Sequence, residues 1–155
     1  MPFRPLILAT AFVALAACGA PPGTERMSMG STVDIASVGT QLSVQRAGNG
    51  ILRPLAHSPA LQAAAQAHAD DLARTGRFAH TGSDGSSVAE RARRANYNAC
   101  ALAENIAQGQ PDIRSVITAW MGSEGHRRNI LDAQVTQFGF AESAGNWVLV
   151  LGRPC

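Results

Sequence analysis

In "VITAWMGSEGHRRNIL", residues 116–131, one helix stops and another starts within a few residues. With the preceding "PDIRS", the pattern predicts a helix that begins at Pro111 and presents Ile113, Val116, Ile117 and Trp120 to a core. Ser123 reads as the cap of the next helix, and Glu124 in its first turn suits the positive end of the dipole. His126 is harder to place. A charged imidazole at a helix start opposes the dipole, so folding does not require it there. His126 either packs as a neutral ring or meets a partner.

Downstream, "QFGFAES" (137–143) and "NWVLVLG" (146–152) flank the turn-prone "AGN" and predict an antiparallel hairpin. Upstream, "LAENIAQG" (102–109) predicts a third strand ending before Pro111. Earlier segments have helical period. "SPALQAAAQAHADDLARTG" (58–76) carries a cap at Ser58, Pro59 at the first helical position, a stop at Gly76 and a stripe of Leu61, Ala65, His68 and Leu72. "TVDIASVGTQLSVQRA" (32–47) predicts a helix with Val33, Ile35, Val38, Leu42 and Val44 as its apolar residues, and "SSVAERARRA" (86–95) a short one. The basic cluster in the latter reads as a solvated helix face. Helices in succession with a small antiparallel sheet make an α+β chain, a sheet sandwiched between helices.

The first seventeen residues have a different character. Arg4 precedes "PLILATAFVALAA" (5–17), which is too short to span a bilayer and has the length of a signal-peptide core. Leu15, Ala16 and Ala17 before Cys18 resemble a bacterial lipoprotein signal, in which the cleaved N-terminal cysteine is lipidated. Gly19 at the next position, rather than an aspartate, resembles a signal for passage to the outer membrane. "GAPPGTERMSMGS" (19–31) then reads as a flexible tether. The expected organisation is a signal at 1–17, an anchored tether at 18–32 and one domain at 33–155. Such a protein faces the periplasm or the exterior from a lipid anchor, with the outer membrane favoured.

Three cysteines are present, and lipidation of Cys18 leaves the pair Cys100 and Cys155. An exported location allows a disulfide between them, two free thiols being the alternative. All thirteen basic residues are arginine, which excludes lysine-dependent phosphate binding, Schiff bases and Ser-Lys catalysis. Without Arg4, twelve basic residues face eleven acidic ones, a balance that argues against nucleic acid as a partner.

The four histidines differ in setting. His57 precedes a helix cap and reads as solvated or locally hydrogen-bonded, while His68 lies on the apolar stripe of its helix and reads as a packed or rim position. His80, in "GRFAHTGSDG" (76–85), opens a Gly/Ser-rich loop of the kind that carries function. In order and spacing, this loop, "AER", "AENIA" (103–107), "WMGSEGHRRNIL" (120–131) and the final hairpin resemble the bacterial branch of the CAP superfamily, named for cysteine-rich secretory proteins, antigen 5 and pathogenesis-related 1 proteins. The resemblance covers residues 38 to 152 and implies an α-β-α sandwich, the SCP domain.

It also implies a cleft with two histidines and two acids. His80, Glu104 and His126 transfer by motif, and Glu90 is favoured over Asp84 as the second acid. Two imidazoles with two carboxylates suit Zn²⁺ or another divalent ion, and two histidines alone leave coordination positions open. The expected function is binding of a metal, or of a lipid, glycan or protein ligand, in the cell envelope. A hydrolase using Zn-bound water near Glu104 or Glu90, or a structural envelope protein, are the alternatives. No G-x-S-x-G elbow or H-E-x-x-H helix supports a conventional esterase or protease.

Overall fold

The computed structural model describes residues 33–155 together with Met1. The signal segment, Cys18 and the tether lie outside the described residues. The elements are α1 (Ile35–Ala47), β1 (Ala56–His57), α2 (Pro59–Thr75), α3 (Val88–Arg94), β2 (Ala99–Gln108), α4 (Ile113–Gly122), α5 (Glu124–Ile130), β3 (Gln137–Ser143) and β4 (Asn146–Pro154). The strands form one sheet in the order β1-β3-β4-β2. β3, β4 and β2 are antiparallel as expected, but β1 adds a two-residue parallel edge beside β3. The sheet is therefore mixed. So short a strand has no period to read, and its pairing depends on where the chain returns in space.

Alternation along the strands divides the core in two. Phe138, Phe140, Trp147, Leu149 and Leu151 point to one face and pack with α1, α4 and α5 through Val38, Leu42, Val116, Ile117, Trp120 and Ile130. Ala141, Val148, Val150 and Ile106 point to the other, against Leu61, Ala65, Ala69 and Leu72 of α2 and Ala92 of α3. This is a three-layer α-β-α sandwich.

Local chemistry sets the helix ends. Ser58 accepts a hydrogen bond from the Leu61 amide, Pro59 opens α2, and Gly76 closes it in the left-handed conformation at φ 67°. Asp112 caps α4 through the Ser115 amide. Ser123, expected to cap α5, makes no side-chain cap bond. It joins two helices at once, and its amide is already given to the Trp120 carbonyl that closes α4. The other end of α5 is held from α1, where buried Arg46 donates through Nη1 to the carbonyls of Ile130 (2.7 Å) and Asp132 (2.9 Å).

Cys100 and Cys155 form the expected disulfide, with Cα atoms 4.8 Å apart. The β2–β4 register shifts between Ala99 and Ala101, so Cys100 falls outside the regular ladder beside the end of β4. The Cys155 amide also donates to the Asn98 carbonyl at 3.0 Å. The bridge spans a sequence separation of 55, for which chain entropy gives about 4 kcal/mol of stability. Reduction is expected to lower the melting temperature and the urea midpoint together. An unchanged midpoint in reductant would show that the bridge adds nothing.

Candidate functional site

β2 is the edge strand on the side where the motif residues gather. Its successive residues Glu104 and Asn105 point to opposite faces of the sheet, and each holds one half of the site. Glu104 faces α2 and α3. Its Oε1 accepts from His80 Nδ1 at 2.9 Å, and its Oε2 accepts from Arg91 Nη2 at 2.7 Å. Asn105 faces the other layer. Its Nδ2 donates to the backbone carbonyl of His126 at 3.1 Å, and its Oδ1 accepts from Asn129 Nδ2 at 2.8 Å. His80 thus arrives from the α2–α3 loop over one face and His126 from the first turn of α5 over the other. The two meet around the edge of the sheet.

The edge itself is occupied. β4 pairs with β2 along one side, and the carbonyls of Glu104 and Ile106 receive side-chain donors instead of a strand: Asn129 Nδ2 at 3.3 Å and Trp120 Nε1 at 3.1 Å. Trp120 is fully packed at the same time. This explains much of the "W…H-R-x-N" pattern in physical terms. The tryptophan and asparagine satisfy strand carbonyls that a buried edge would otherwise leave unpaired.

Arg91 holds the His80 side together. It was expected on a solvated face, yet it is 5 % exposed, and only Arg93 and Arg94 of that cluster reach solvent. One guanidinium donates to the Glu104 carboxylate, to the His80 carbonyl at 3.1 Å and to the Ser86 carbonyl at 2.8 Å. A planar fork with several donors can make all three bonds where a lysine could not. His68 adds a second buried support: its Nε2 donates to the Ala79 carbonyl at 3.0 Å and lies 3.8 Å from Glu104 Oε1. Burial lowers the His68 pKa, outweighing the raising effect of Glu104, so the ring is neutral.

His80 and His126 have distinct electrostatics. The Glu104 carboxylate can only accept, so in the neutral ring His80 Nδ1 is the protonated nitrogen and Nε2 the one with the lone pair, on a side chain 58 % exposed. Burial holds the His126 pKa below its ordinary value, and charge on the adjacent His80 lowers it further. The two candidates for the second acid have local partners of their own. Glu90 Oε2 accepts from the Ser87 amide (2.8 Å) and hydroxyl (2.9 Å), completing the capping box of α3. Asp84 pairs with Arg94 and accepts from the Ser86 amide. His57, as expected, is exposed.

Among the described residues, no group of three or more His, Cys, Asp or Glu side chains is arranged to hold a metal ion. Both oxygens of Glu104 are engaged, which makes it an orienting group. The donors that fit a cation are therefore two: His80 Nε2 and the neutral ring of His126. A carboxylate fixing the tautomer of a ligating histidine is the usual supporting arrangement around a metal.

Residues 45–148 match the profile of CAP, the cysteine-rich secretory protein family. The chain belongs to the CAP family. Its CAP domain is 34 % identical over 98 residues to the uncharacterized protein YkwD of Bacillus subtilis, a match covering 62 % of this chain and 38 % of that protein. The chain thus spans well under half the length of this curated relative. Among solved structures, an extracellular SCP-domain protein of Bacillus anthracis superposes with a TM-score of 0.73 at 23 % identity, covering 76 % of this chain and 39 % of the other. An outer surface protein of Borrelia burgdorferi gives 0.69 at 18 % identity, covering 82 % of this chain and all of that one. These likenesses establish the same α+β fold.

Proposed function

We propose that this CAP domain is a binding module of the cell envelope, carried outside the cytoplasm on a lipid anchor at Cys18 with the outer membrane favoured, and that its edge cleft takes a divalent cation such as Zn²⁺ through His80 and His126. The observation that carries the reading is the His80–Glu104 bond, which in the neutral tautomer orients the Nε2 lone pair of an accessible ring near His126, whose pKa burial lowers. A cation bound there offers open coordination positions to a ligand's oxygen or nitrogen donors. A lipid head group, a glycan or a protein side chain can supply such donors, and Phe78, two residues before His80 in the chain, is an exposed apolar side chain. The extracellular and outer-surface descriptions of the structural neighbours support a place in the envelope or outside the cell.

Binding is favoured over metal-assisted hydrolysis by the state of Glu104. A general base must exchange protons with a water, whereas this carboxylate is buried and tied to both Arg91 and His80. It positions His80.

Calorimetric titration of the full chain with Zn²⁺ tests the proposal. Binding at neutral pH is expected, with a loss in the His80→Ala/His126→Ala variant larger than the roughly 10–100-fold typical of removing only an orienting partner. Affinity should fall as pH drops through the imidazole range near about 6.5, because protonation removes the coordinating lone pairs. The lowered pKa of His126 places its share of that loss at more acidic pH than an ordinary histidine would. Equal affinity in the double variant would remove the cation reading.

A further inference from the structure

α1 differs from the other described helices in what it shows to solvent. Its outward stripe runs through Ala36, Thr40, Val44 and Ala47, and the one charged residue in the helix, Arg46, is buried. α2, α3, α4 and α5 each expose charged side chains. Val44 is 63 % exposed, and Leu52, in the loop after α1, is 82 % exposed. Gly39, Ser43, Val44 and Ala47 also border a groove shared with Leu55.

The polar groups on this face are already engaged. Thr40 Oγ1 donates to the Ala36 carbonyl at 2.9 Å, Ser43 Oγ to the Gly39 carbonyl at 2.8 Å, and Gln41 Nε2 to Ser37 Oγ at 3.3 Å. A face whose donors are bonded within its own helix loses little when water leaves it. At one end, the Asp34 carboxylate is held by the Ala36 and Ser37 amides. Next to Leu52, exposed Arg53 carries the charge that anionic head groups attract.

Area decides what can cover the stripe. A 13-residue helix is about 20 Å long and about 10 Å wide, so its outer side offers on the order of 200 Å². A stable protein interface takes about 800 Å² from each partner. The stripe is too small to hold a second copy or a soluble protein by itself, but it suffices for a surface that something else keeps close. The chain enters α1 after Val33, and from Cys18 to that point it reaches at most about 50 Å when fully extended.

We propose that the outer side of α1 and Leu52 rest on the phospholipid surface, with Val44 and Leu52 entering it and Arg53 at the head groups. This rests on the reading of Cys18 as the lipid anchor. α1 packs on β1 and α4, whereas the site residues gather at β2, the opposite border of the sheet. Contact through α1 therefore leaves the cleft open to solvent.

Tryptophan fluorescence of the full chain, reconstituted in vesicles of phosphatidylethanolamine and phosphatidylglycerol, tests this with brominated acyl chains as quencher. Trp120 and Trp147 are buried and give a constant background. Val44→Trp and Leu52→Trp are expected to shift to the blue and to be quenched, and Ala89→Trp, exposed on α3 in the opposite layer, is not. In the unsubstituted chain, amide exchange at Leu52 and Arg53 should be slower on vesicles than in Cys18→Ala in solution. Vesicle-bound chain with Val44→Trp and Leu52→Trp unquenched, or with Ala89→Trp quenched equally, would overturn the proposal and leave the anchor standing. A wild-type chain that stays in solution would refute the anchor, and this contact with it. A doubled mass of Cys18→Ala in solution, lost in Cys18→Ala/Val44→Asp, would assign the face to a second copy instead.

Discussion

Gly139→Ala is expected to leave the chain without a cooperative unfolding transition. Gly139 sits in β3 opposite Val150 and points at the first turn of α2. A Cβ there would overlap the carbonyl of Leu61 and the amide nitrogen of Gln62. Both are backbone atoms, so no rotamer change relieves the overlap. α2 would have to lift off the sheet, breaking the bond from the Phe140 amide to Gln62 Oε1 (2.9 Å) and exposing the core around Leu61 and Val148. The expected loss exceeds about 4 kcal/mol, in the exceptional range for a single substitution. Gly122→Ala is the control. Nothing lies within 4 Å of the Cβ it would add, and an alanine in that helix should shift stability by no more than about 1 kcal/mol, in the favourable direction. A two-state urea transition near wild type for Gly139→Ala would show that α2 does not approach β3 this closely.

Glu104→Ala is expected to cost about 3–5 kcal/mol, because it strands the Arg91 guanidinium as a buried charge without its carboxylate. Urea unfolding of Glu104→Ala, Arg91→Ala and the double variant measures the coupling. The double variant should lose less than the sum of the single losses, since neither charge is then left alone. The same Glu104 substitution frees His80 Nδ1, so Zn²⁺ affinity should also fall, by roughly 10–100-fold. Additive stability losses would mean that the pair is not energetically coupled. Unchanged Zn²⁺ affinity would mean that His80 is oriented by its loop alone.

What could be read from the sequence was what local rules decide. Ser58, Pro59 and Gly76 bound α2 because a cap, a preset φ and a left-handed stop act within one turn. The final hairpin followed from alternation around a turn at Ala144 and Gly145, both with positive φ. His68 was legible as a packed position, but its nearness to Glu104, which lies on another element, was not. Arg91 was misread for a related reason. On a seven-residue helix with four charged side chains, no period distinguishes the arginine that turns inward from those that stay in solvent. The site residues His80, Glu104 and His126 came from motif resemblance, and the physical reason for their meeting is tertiary. Consecutive residues of one strand, Glu104 and Asn105, reach opposite faces and draw a histidine from each layer.

The borders of the sheet also govern how copies of this protein behave toward one another. An open strand border is a template for another chain. Here one border is β1, with only two residues to offer, and the other is β2, whose Glu104 and Ile106 carbonyls are already taken by Asn129 and Trp120. The side chains that build the cleft therefore also deny a foreign strand its first hydrogen bonds. Close encounters between copies need not lead to fibrils or swapped dimers, and the side chains of the candidate site double as protection against self-association.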